Sequence, residues 1–514
     1  MTRKSALTLV LIWILWAVIL IGFQILAAAR FQPDYPDTVL EWTAGETSPG
    51  AHDSQPYLLE PFMNQQVAYD SEFYLSIAYA GYDDPGLRAV WLDPQKEPEP
   101  IWGKFPMPFG IPNDFESGRP PGVPENYQAY SLNYAFFPFY PQVIRALYYP
   151  LLIFGLNPIA TATLAGVIVS LLGALGAMFA LYDLTRDSLG DSGAIRTAFY
   201  LIAFPTGFFL AMVHTEGLFV GLAFGSLALL RRKRWILVAL LAGFATVTRA
   251  VGGALIIPLL IAWLQEIWPI LRRRLGRDEA VDQSEGGFRW RLAGNGLLAL
   301  SPLIAFGVWN ALLGTQFRNV EAAFFDRGMF VVKRSIEGWQ DAFRSLFVLS
   351  LESFEIIRLV WLGMLVFTIL LIAKIIVWQW YGDHIPKQVS IGVGLMLAGF
   401  GAALAIIWFR NTNNEQRTFY YMVEFSATIL ALAACAYTLR TMPGLALFSL
   451  MVVLISFFSG APQGMHRYIL GAPAVFVMLG TLGQDDVFDR TWTLGSVLLM
   501  GLFATLFAAN FWVG

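Results

Sequence analysis

Twenty-four consecutive uncharged residues, 6–29, stand near the N-terminus, and this run constrains the fold more than any other feature. A helix needs about 20 apolar residues to cross a bilayer, so the run is long enough to span a membrane. Arg3 and Lys4 resemble the start of a signal peptide, but the run is longer than a signal peptide's apolar region. Arg30 followed by Phe31 is also a poor cleavage site. We therefore interpret the run as a retained first transmembrane helix.

The composition of the whole chain agrees with a membrane protein. Hydrophobic residues make up 56% of the sequence and charged residues 14%, which lies outside the usual range for soluble domains. Aromatic residues reach 15%, as expected where Trp and Tyr collect at both membrane interfaces. The single cysteine, Cys435, excludes an intrachain disulfide framework and a cysteine-based metal site. The sequence predicts an all-α polytopic membrane protein with one domain, residues 1–514.

Basic residues in short loops indicate which side of the membrane each loop faces. Such residues mark the cytoplasmic side, so Arg3 and Lys4 place the N-terminus inside and the long segment 30–135 outside. That segment carries sixteen acidic residues but only five Lys or Arg. The basic clusters 231–234 and 272–274 are both predicted inside. The first loop is therefore predicted to be a large, acidic, extracytoplasmic loop.

Residues 136–156 are apolar but are not predicted to cross the membrane. Four apolar stretches separate the first loop from Arg231, and four crossings would put Arg231 on the wrong side. The first of these stretches carries Arg145 and three prolines, which break helical hydrogen bonding. We predict that it forms an interfacial or re-entrant element on the outer face. Residues 159–182 then run inward, and residues 183–196 form a cytoplasmic loop.

Two short apolar segments follow. Residues 217–230 and 235–248 each offer fourteen uncharged residues, about 21 Å of helix against a hydrocarbon core of about 30 Å. Their outer tips, His214-Thr-Glu216 and Arg249, are therefore predicted to lie below the outer membrane surface. Polar groups at that depth must face protein or a water-filled cavity. This short-hairpin core, residues 159–268, predicts an outward-facing pocket.

The C-terminal part, residues 292–512, is predicted to add about seven spans. The total is about thirteen transmembrane helices, and outer loops are predicted at 314–356, 410–417 and 460–467. The predicted spans are 292–313, 357–380, 389–409, 418–439, 443–459, 467–482 and 492–512.

The outer face carries the groups that sugar transfer from a lipid phosphate requires. The leaving phosphate is a weak base, so one carboxylate that takes a proton from the acceptor hydroxyl suffices. Positive charge must meet the phosphate. Asp70 is the candidate catalytic base because it lies among apolar neighbours in the acidic loop. No residue is assigned as a metal ligand, and a divalent metal remains possible. The candidate substrate-binding residues are Glu72, His214, Glu216, Arg249, Arg410, Arg417, His466 and Arg467.

Each candidate also has a purely structural interpretation. Asp70 is one of the sixteen acids of the loop, and Glu72, two residues on, faces elsewhere on a helix. His214 with Glu216 can cap a helical hairpin, and Arg249 can extend to the interface. A further charged residue, Glu424, lies in an apolar span, where a charge is costly unless it is paired.

Six motifs occur in order along most of the chain, at 69–82, 136–141, 204–209, 214–216, 231–235 with 248–252, and 465–468. Together they resemble the PIG-V family of mannosyltransferases, within the GT-C class of polytopic glycosyltransferases, in which such motifs run in the same order. The family pattern around the acid is Trp-Asp-x-x-Trp-Tyr, and here Tyr69 and Phe73 replace the two tryptophans. The segment 314–317 departs from the family's Gly-Asp-Pro pattern, so no role is carried onto it.

The resemblance implies a GT-C fold and an inverting transfer of mannose from a polyprenyl- or dolichyl-phosphate donor. It implies an extracytoplasmic or luminal active site with Asp70 as the base. The expected partners are the lipid-linked donor, a lipid or glycan acceptor and membrane lipids, with no nucleic acid. The expected location is the plasma membrane of a prokaryote or the endoplasmic reticulum membrane of a eukaryote. The resemblance does not fix the acceptor.

Two other functions agree with part of the sequence. A GT-C enzyme that moves another sugar, such as arabinose or glucose, would share every physical argument above. A lipid flippase or transporter agrees less well, because transporters often show paired repeats with helices broken at the membrane midplane. The sequence shows neither repeats nor a symmetric layout.

Overall fold

A computed structural model describes residues 1–31, 55–87, 89–92, 124–125, 128–275, 285–324, 335–341, 413–458 and 463–513. In these ranges the chain is mainly helical, with one antiparallel pair of strands, β1 (Ala89–Leu92) and β2 (Gln128–Ser131). The helices are α1 (Arg3–Arg30), α2 (Pro56–Leu59), α3 (Ser71–Tyr79), α4 (Phe139–Leu151), α5 (Pro158–Ile202), α6 (Glu216–Arg231), α7 (Trp235–Thr246), α8 (Ile256–Leu275), α9 (Glu285–Ala299), α10 (Ser301–Phe324), α11 (335–341), α12 (Asn413–Leu439), α13 (Pro443–Phe457), α14 (Met465–Tyr468), α15 (Pro473–Leu482) and α16 (Asp486–Ala508).

The described helices confirm a helical membrane protein. Four are long and apolar enough to cross a bilayer, namely α1, α5, the segment Ala250–Trp268 and α16. Two bent helix pairs raise that number to six if each pair forms one span. The predicted spans 357–380 and 389–409 lie outside the described residues.

α1 is the predicted first span. The Thr2 hydroxyl caps its N-terminus by accepting a hydrogen bond from the backbone N–H of Ser5 at 3.1 Å. One face of α1 is buried against the protein, and its Trp13 indole donates a hydrogen bond to the Leu171 carbonyl on α5 at 2.9 Å. The other face leaves apolar side chains such as Leu15 exposed, as expected for a helix that contacts lipid.

The chain reverses direction within α5. Gly190 interrupts the helix with φ 68° and ψ 177°, a conformation that favours glycine. Beyond it, the Asp191 carboxylate accepts a hydrogen bond from the Tyr182 hydroxyl. In an unbroken helix, residues nine positions apart are about 13 Å apart along the axis, so the chain must fold back here. The reversal falls within the predicted loop 183–196.

α6 packs so closely on α5 that only glycine fits at the contact. A Cβ added to Gly173 would lie 2.2 Å from the Gly217 carbonyl oxygen, and one added to Gly217 would lie 2.4 Å from the Ser170 carbonyl oxygen. At the far end of α6, Arg231 pairs with Asp187 at 2.9 Å. The start and the end of α6 are thus both fixed against the first half of α5.

The short elements of the sequence remain short in the structure. α6 has 16 residues and α7 has 12, about 24 Å and 18 Å of helix. α4 has 13 residues, about 20 Å, and therefore does not reach across a 30 Å hydrocarbon core by itself. It packs against α3, and the Tyr148 and Tyr79 rings meet at 6.3 Å. The predicted element 136–156 thus contains a helix too short to cross.

The structure corrects several details of the sequence interpretation. The predicted acidic loop also contains the short strand pair β1 and β2, while the rest of the described secondary structure is helical. α9 and α10 meet at an angle of 51°, and the predicted span 467–482 is bent by 85° between α14 and α15. α10 continues into the predicted outer loop 314–356. α16 begins at Asp486 rather than at residue 492, because the Asp485 carboxylate caps it by accepting from the backbone N–H groups of Val487 and Phe488.

Candidate functional site

Asp70 lies at the N-cap position of α3, in a turn held under backbone strain. Tyr69 before it has φ 50°, in the left-handed region that a bulky residue rarely adopts. Such strain costs on the order of 1–3 kcal/mol and persists only where the surrounding structure enforces it. The Asp70 side chain makes no cap hydrogen bond, and within the described part of the chain it has no hydrogen bond or ion pair. It is a half-buried carboxylate that contributes little to holding the turn.

Hydrogen bonds from neighbouring residues hold the turn instead. The Ser71 hydroxyl donates to the Val213 carbonyl at 3.0 Å and accepts from the Ala68 backbone N–H at 3.1 Å. The Val213 backbone N–H donates to the Gln66 carbonyl at 3.0 Å. The Gln66 side-chain amide in turn donates to Gln24 on α1 at 3.1 Å. The loop before α6 therefore fixes the segment that carries Asp70.

Two guanidinium groups, one buried and one partly exposed, share one buried carboxylate beside this turn. Glu216, the first residue of α6, pairs with Arg249, and Arg467 Nε lies 3.3 Å from the same carboxylate oxygen. The Arg249 guanidinium also donates to the Thr215 hydroxyl at 3.3 Å. We call Glu216, Arg249 and Arg467 the arginine pair cluster. Its side chains come from the tips of α6, α7 and α14, and it carries one net positive charge.

Aromatic rings surround the two guanidinium groups. The Arg467 guanidinium carbon lies 5.2 Å from the centre of the Phe209 ring. The Tyr468 ring lies 5.1 Å from both the Arg249 and the Arg467 guanidinium carbons. Cations over aromatic faces gain stabilisation that is larger when the site is desolvated. The rings thus pack against both positive charges.

A small pocket adjoins the cluster. The second carboxylate oxygen of Glu216, Oε2, is buried and has no hydrogen-bond partner in the described structure. A buried acceptor without a partner costs about 1–3 kcal/mol, and this one belongs to a residue that lines the pocket. A bound ligand with a hydroxyl or N–H group would satisfy it. The pocket is lined by Glu216, Phe219, Val220, Arg249, Val251, Ser456, Arg467, Tyr468 and Gly471.

The cluster acts on Asp70 electrostatically. Burial raises the pKa of the Asp70 carboxyl above its usual value, and this is the largest influence. The positive charge of Arg467 opposes the rise, the negative charge of Glu216 adds to it, and Arg249 opposes it more weakly. A raised pKa makes a carboxylate a stronger base at neutral pH. Asp70 therefore combines an unpaired carboxylate, increased basicity and positive charge nearby.

His214 lies beside the Asp70 turn, but it does not pair with the cluster. It is buried, its ring Nε2 lies 3.5 Å from the Ser71 hydroxyl, and its carbonyl accepts from Ser170 at 3.2 Å. Its ring packs edge-on against Phe209 and Phe507. The structure thus places His214 in the packing between α5 and α16, and it is not among the residues that line the pocket.

Glu424 and His466 form a second buried group, whose pairing the sequence did not indicate. The Glu424 carboxylate on α12 accepts from the backbone N–H groups of Gly464 at 2.6 Å and Met465 at 2.7 Å. It also lies 2.9 Å from His466 Nδ1. The other ring nitrogen of His466 is hydrogen-bonded to the Val513 carbonyl. Glu424 therefore fixes the start of α14, which carries Arg467, and the ring nitrogens of His466 are engaged within the protein.

The remaining predicted site residues are Glu72, Arg410 and Arg417. Glu72 is buried in the first turn of α3, and the arginine pair cluster is built without it. Arg410 lies outside the described residues. Arg417 falls within α12, but its side chain is not among those described. In the ranges that the structure covers, no three His, Cys, Asp or Glu side chains converge as a metal site.

Sequence reasoning missed the aromatic residues of the site. Phe209 and Tyr468 were visible in the matched segments 204–209 and 465–468, but their contact with the arginines depends on the fold. Trp512 gave no signal in the sequence, yet its ring lies 4.7 Å from that of Tyr69.

Comparison with known protein families finds no matching family model. No curated protein matches the sequence either.

Proposed function

We propose that this protein is an inverting mannosyltransferase of the GT-C type, with about thirteen transmembrane helices. It transfers mannose from a polyprenyl- or dolichyl-phosphate donor to a lipid-linked or glycan acceptor on the extracytoplasmic or luminal face. The observation that carries the proposal is a half-buried carboxylate without a partner in the described structure, Asp70, near two guanidinium groups that share the single carboxylate of Glu216.

In the proposed reaction, Asp70 is the general base. The acceptor hydroxyl oxygen attacks the anomeric carbon, and its proton passes to the Asp70 carboxylate. The bond between the anomeric carbon and the phosphate oxygen breaks, and its electron pair leaves with the phosphate. Attack from the face opposite the leaving group inverts the configuration. Because phosphate leaves without a proton, one carboxylate suffices, whereas glycoside hydrolysis requires two.

The arginine pair cluster is proposed to hold the donor phosphate. Guanidinium groups form charge-assisted hydrogen bonds to phosphate oxygens, often through two parallel N–H groups. Glu216 neutralises one of the two charges of Arg249 and Arg467, so the cluster retains positive charge for the phosphate. The negative charge that develops on the leaving group would meet these fixed cations, which stabilises the transition state.

The experiment that tests the function supplies the purified protein with a series of lipid-phosphate sugars. Polyprenyl-phosphate mannose, glucose and arabinose are compared with a panel of glycan and lipid acceptors. We expect a mannosylated product whose anomeric configuration is opposite to that of the donor. Transfer of glucose or arabinose alone would assign another sugar to the same fold.

A transport function gives a different result in the same system. Reconstituted protein that moves lipid between leaflets, with no covalent product from any donor, would replace the transferase proposal with a flippase. Asp70→Asn serves as the matched negative control, because it removes the base while it keeps the size of the side chain. A product formed equally by this variant would not come from the proposed site.

A further inference from the structure

The short segment after α16 contacts the loop that carries Asp70. The Tyr69 hydroxyl donates a hydrogen bond to the Phe511 carbonyl at 2.5 Å, across a sequence separation of 442 residues. The Tyr69 ring packs edge-on against the Trp512 ring at 4.7 Å. Tyr69 is the residue in the strained left-handed conformation directly before Asp70. The segment 511–513 is therefore one of the contacts that hold this strain.

The same segment contacts the loop that carries Arg467. The Val513 carbonyl is hydrogen-bonded to the ring of His466, the residue directly before Arg467. The opposite side of that ring is held at 2.9 Å by the Glu424 carboxylate. Val513 itself is buried. The two ends of this three-residue segment thus reach the immediate neighbours of the two charged residues of the candidate site.

Phe507, in the last turn of α16, makes a third set of contacts near the segment. The Phe507 ring lies 6.1 Å from the Tyr69 ring and 5.5 Å from the Phe209 ring. The Phe209 ring in turn lies 5.2 Å from the guanidinium carbon of Arg467. The end of α16 and the segment after it therefore form one packed bridge between the Asp70 turn and the Arg467 turn.

We propose that residues 511–513 are a positioning element that sets the placement of the Asp70 carboxylate relative to the Arg467 guanidinium. The inference rests on the proposed transferase function. A general base must lie within hydrogen-bond reach of the proton it accepts while the phosphate is held, and a misplacement of about 1 Å can cost about 100-fold in rate. The segment does not touch the reacting groups. It acts through Tyr69 and His466.

The kinetic test is Tyr69→Phe, which removes one O–H group and keeps the ring. We expect kcat to fall about 3- to 10-fold while the donor KM stays within about twofold, because donor binding depends on the arginine pair cluster. The matched control is Tyr200→Phe, which removes a Tyr–OH hydrogen bond of 2.6 Å to Asp489 at the opposite end of α16. Equal kcat for Tyr69→Phe and wild type, or an equal fall in the control, would overturn the positioning role.

A second measurement reports docking of the segment without any activity assay. The probe is Val513→Cys in a Cys435→Ala background, because Cys435 is the only native cysteine. We expect the buried thiol to react slowly with a maleimide, and Tyr69→Ala to speed its labelling at least 10-fold. Labelling that Tyr69→Ala leaves unchanged would overturn docking through Tyr69.

The two measurements also separate failure of the inference from failure of the proposed function. A wild-type protein that is inactive with every lipid-phosphate sugar would remove the transferase function, and the catalytic role of the segment with it. Labelling would still show whether the segment docks. An active wild type with unchanged Tyr69→Phe kinetics would leave the function standing and overturn only the inference.

Discussion

Replacement of Asp70 by Asn is expected to abolish sugar transfer and to make the protein slightly more stable. The two effects have the same cause. The half-buried carboxylate has no hydrogen bond or ion pair within the described chain, so its charge is costly in the folded state. Asn keeps the size of the side chain but carries no charge and cannot act as a base.

The direction of the stability change follows from the pKa. Burial raises the pKa of Asp70 in the folded protein above the unfolded value of about 3.9. The folded protein therefore binds the Asp70 proton more tightly than the unfolded chain does. The contribution of Asp70 to the free energy of unfolding falls as the pH rises from its pKa in the unfolded chain to its pKa in the folded protein. At neutral pH the charged form is the less favourable one. An uncharged Asn is therefore expected to add about 1 kcal/mol, similar to other changes that relieve an active-site cost.

The size of the activity loss follows from the role of the base. General bases contribute at least about 100-fold to the rate, which corresponds to about 2.7 kcal/mol of transition-state stabilisation. The assay measures initial transfer rates and the unfolding temperature of the purified variant in detergent. The control is Asp83→Asn, since Asp83 is exposed and accepts from the Tyr134 hydroxyl at 3.0 Å. It should keep most of the activity.

Two results would refute this reasoning. An Asp70→Asn variant that keeps more than about a tenth of the wild-type activity would remove Asp70 from the base role. A variant that unfolds at a clearly lower temperature than wild type would show that the carboxylate stabilises the fold, contrary to its lack of partners in the described structure.

Three further outcomes are expected. Arg467→Gln should move the acid limb of the pH–rate profile to higher pH, because the positive charge of Arg467 lowers the pKa of Asp70. Arg467→Lys keeps that charge and should leave the acid limb in place. Arg249→Ala should raise the donor KM more than the acceptor KM, with only partial rescue by Arg249→Lys, and unchanged donor kinetics would place the phosphate site elsewhere. Gly217→Ala should destabilise the protein by about 1–3 kcal/mol in thermal unfolding, because the added Cβ would lie 2.4 Å from the Ser170 carbonyl oxygen. Gly253→Ala is the control and should not destabilise it, because no heavy atom lies within 4 Å of the added Cβ.

Several elements of the fold follow from local composition and could be predicted from the residues alone. The uncharged run 6–29 became a helix, since a long apolar stretch satisfies its own backbone hydrogen bonds wherever it packs. The short apolar segments before and after Arg231 remained short helices, because their length is fixed by the charges that bound them. The choice of candidate acids and cations also came from the sequence, since charged residues near apolar runs are few.

Which of these residues meet depends instead on the packing of the folded chain. Glu216 lies between Arg249 and Arg467, and Glu424 caps the turn that carries Arg467. These partners are far apart in the chain and have no common periodicity, so no local pattern links them. Glu216 begins α6, which packs closely on α5, whereas Arg249 and Arg467 come from later turns, so their pairing needs helices that are distant in the sequence to pack together. A buried charge has few possible partners, and the packing of distant helices selects among them.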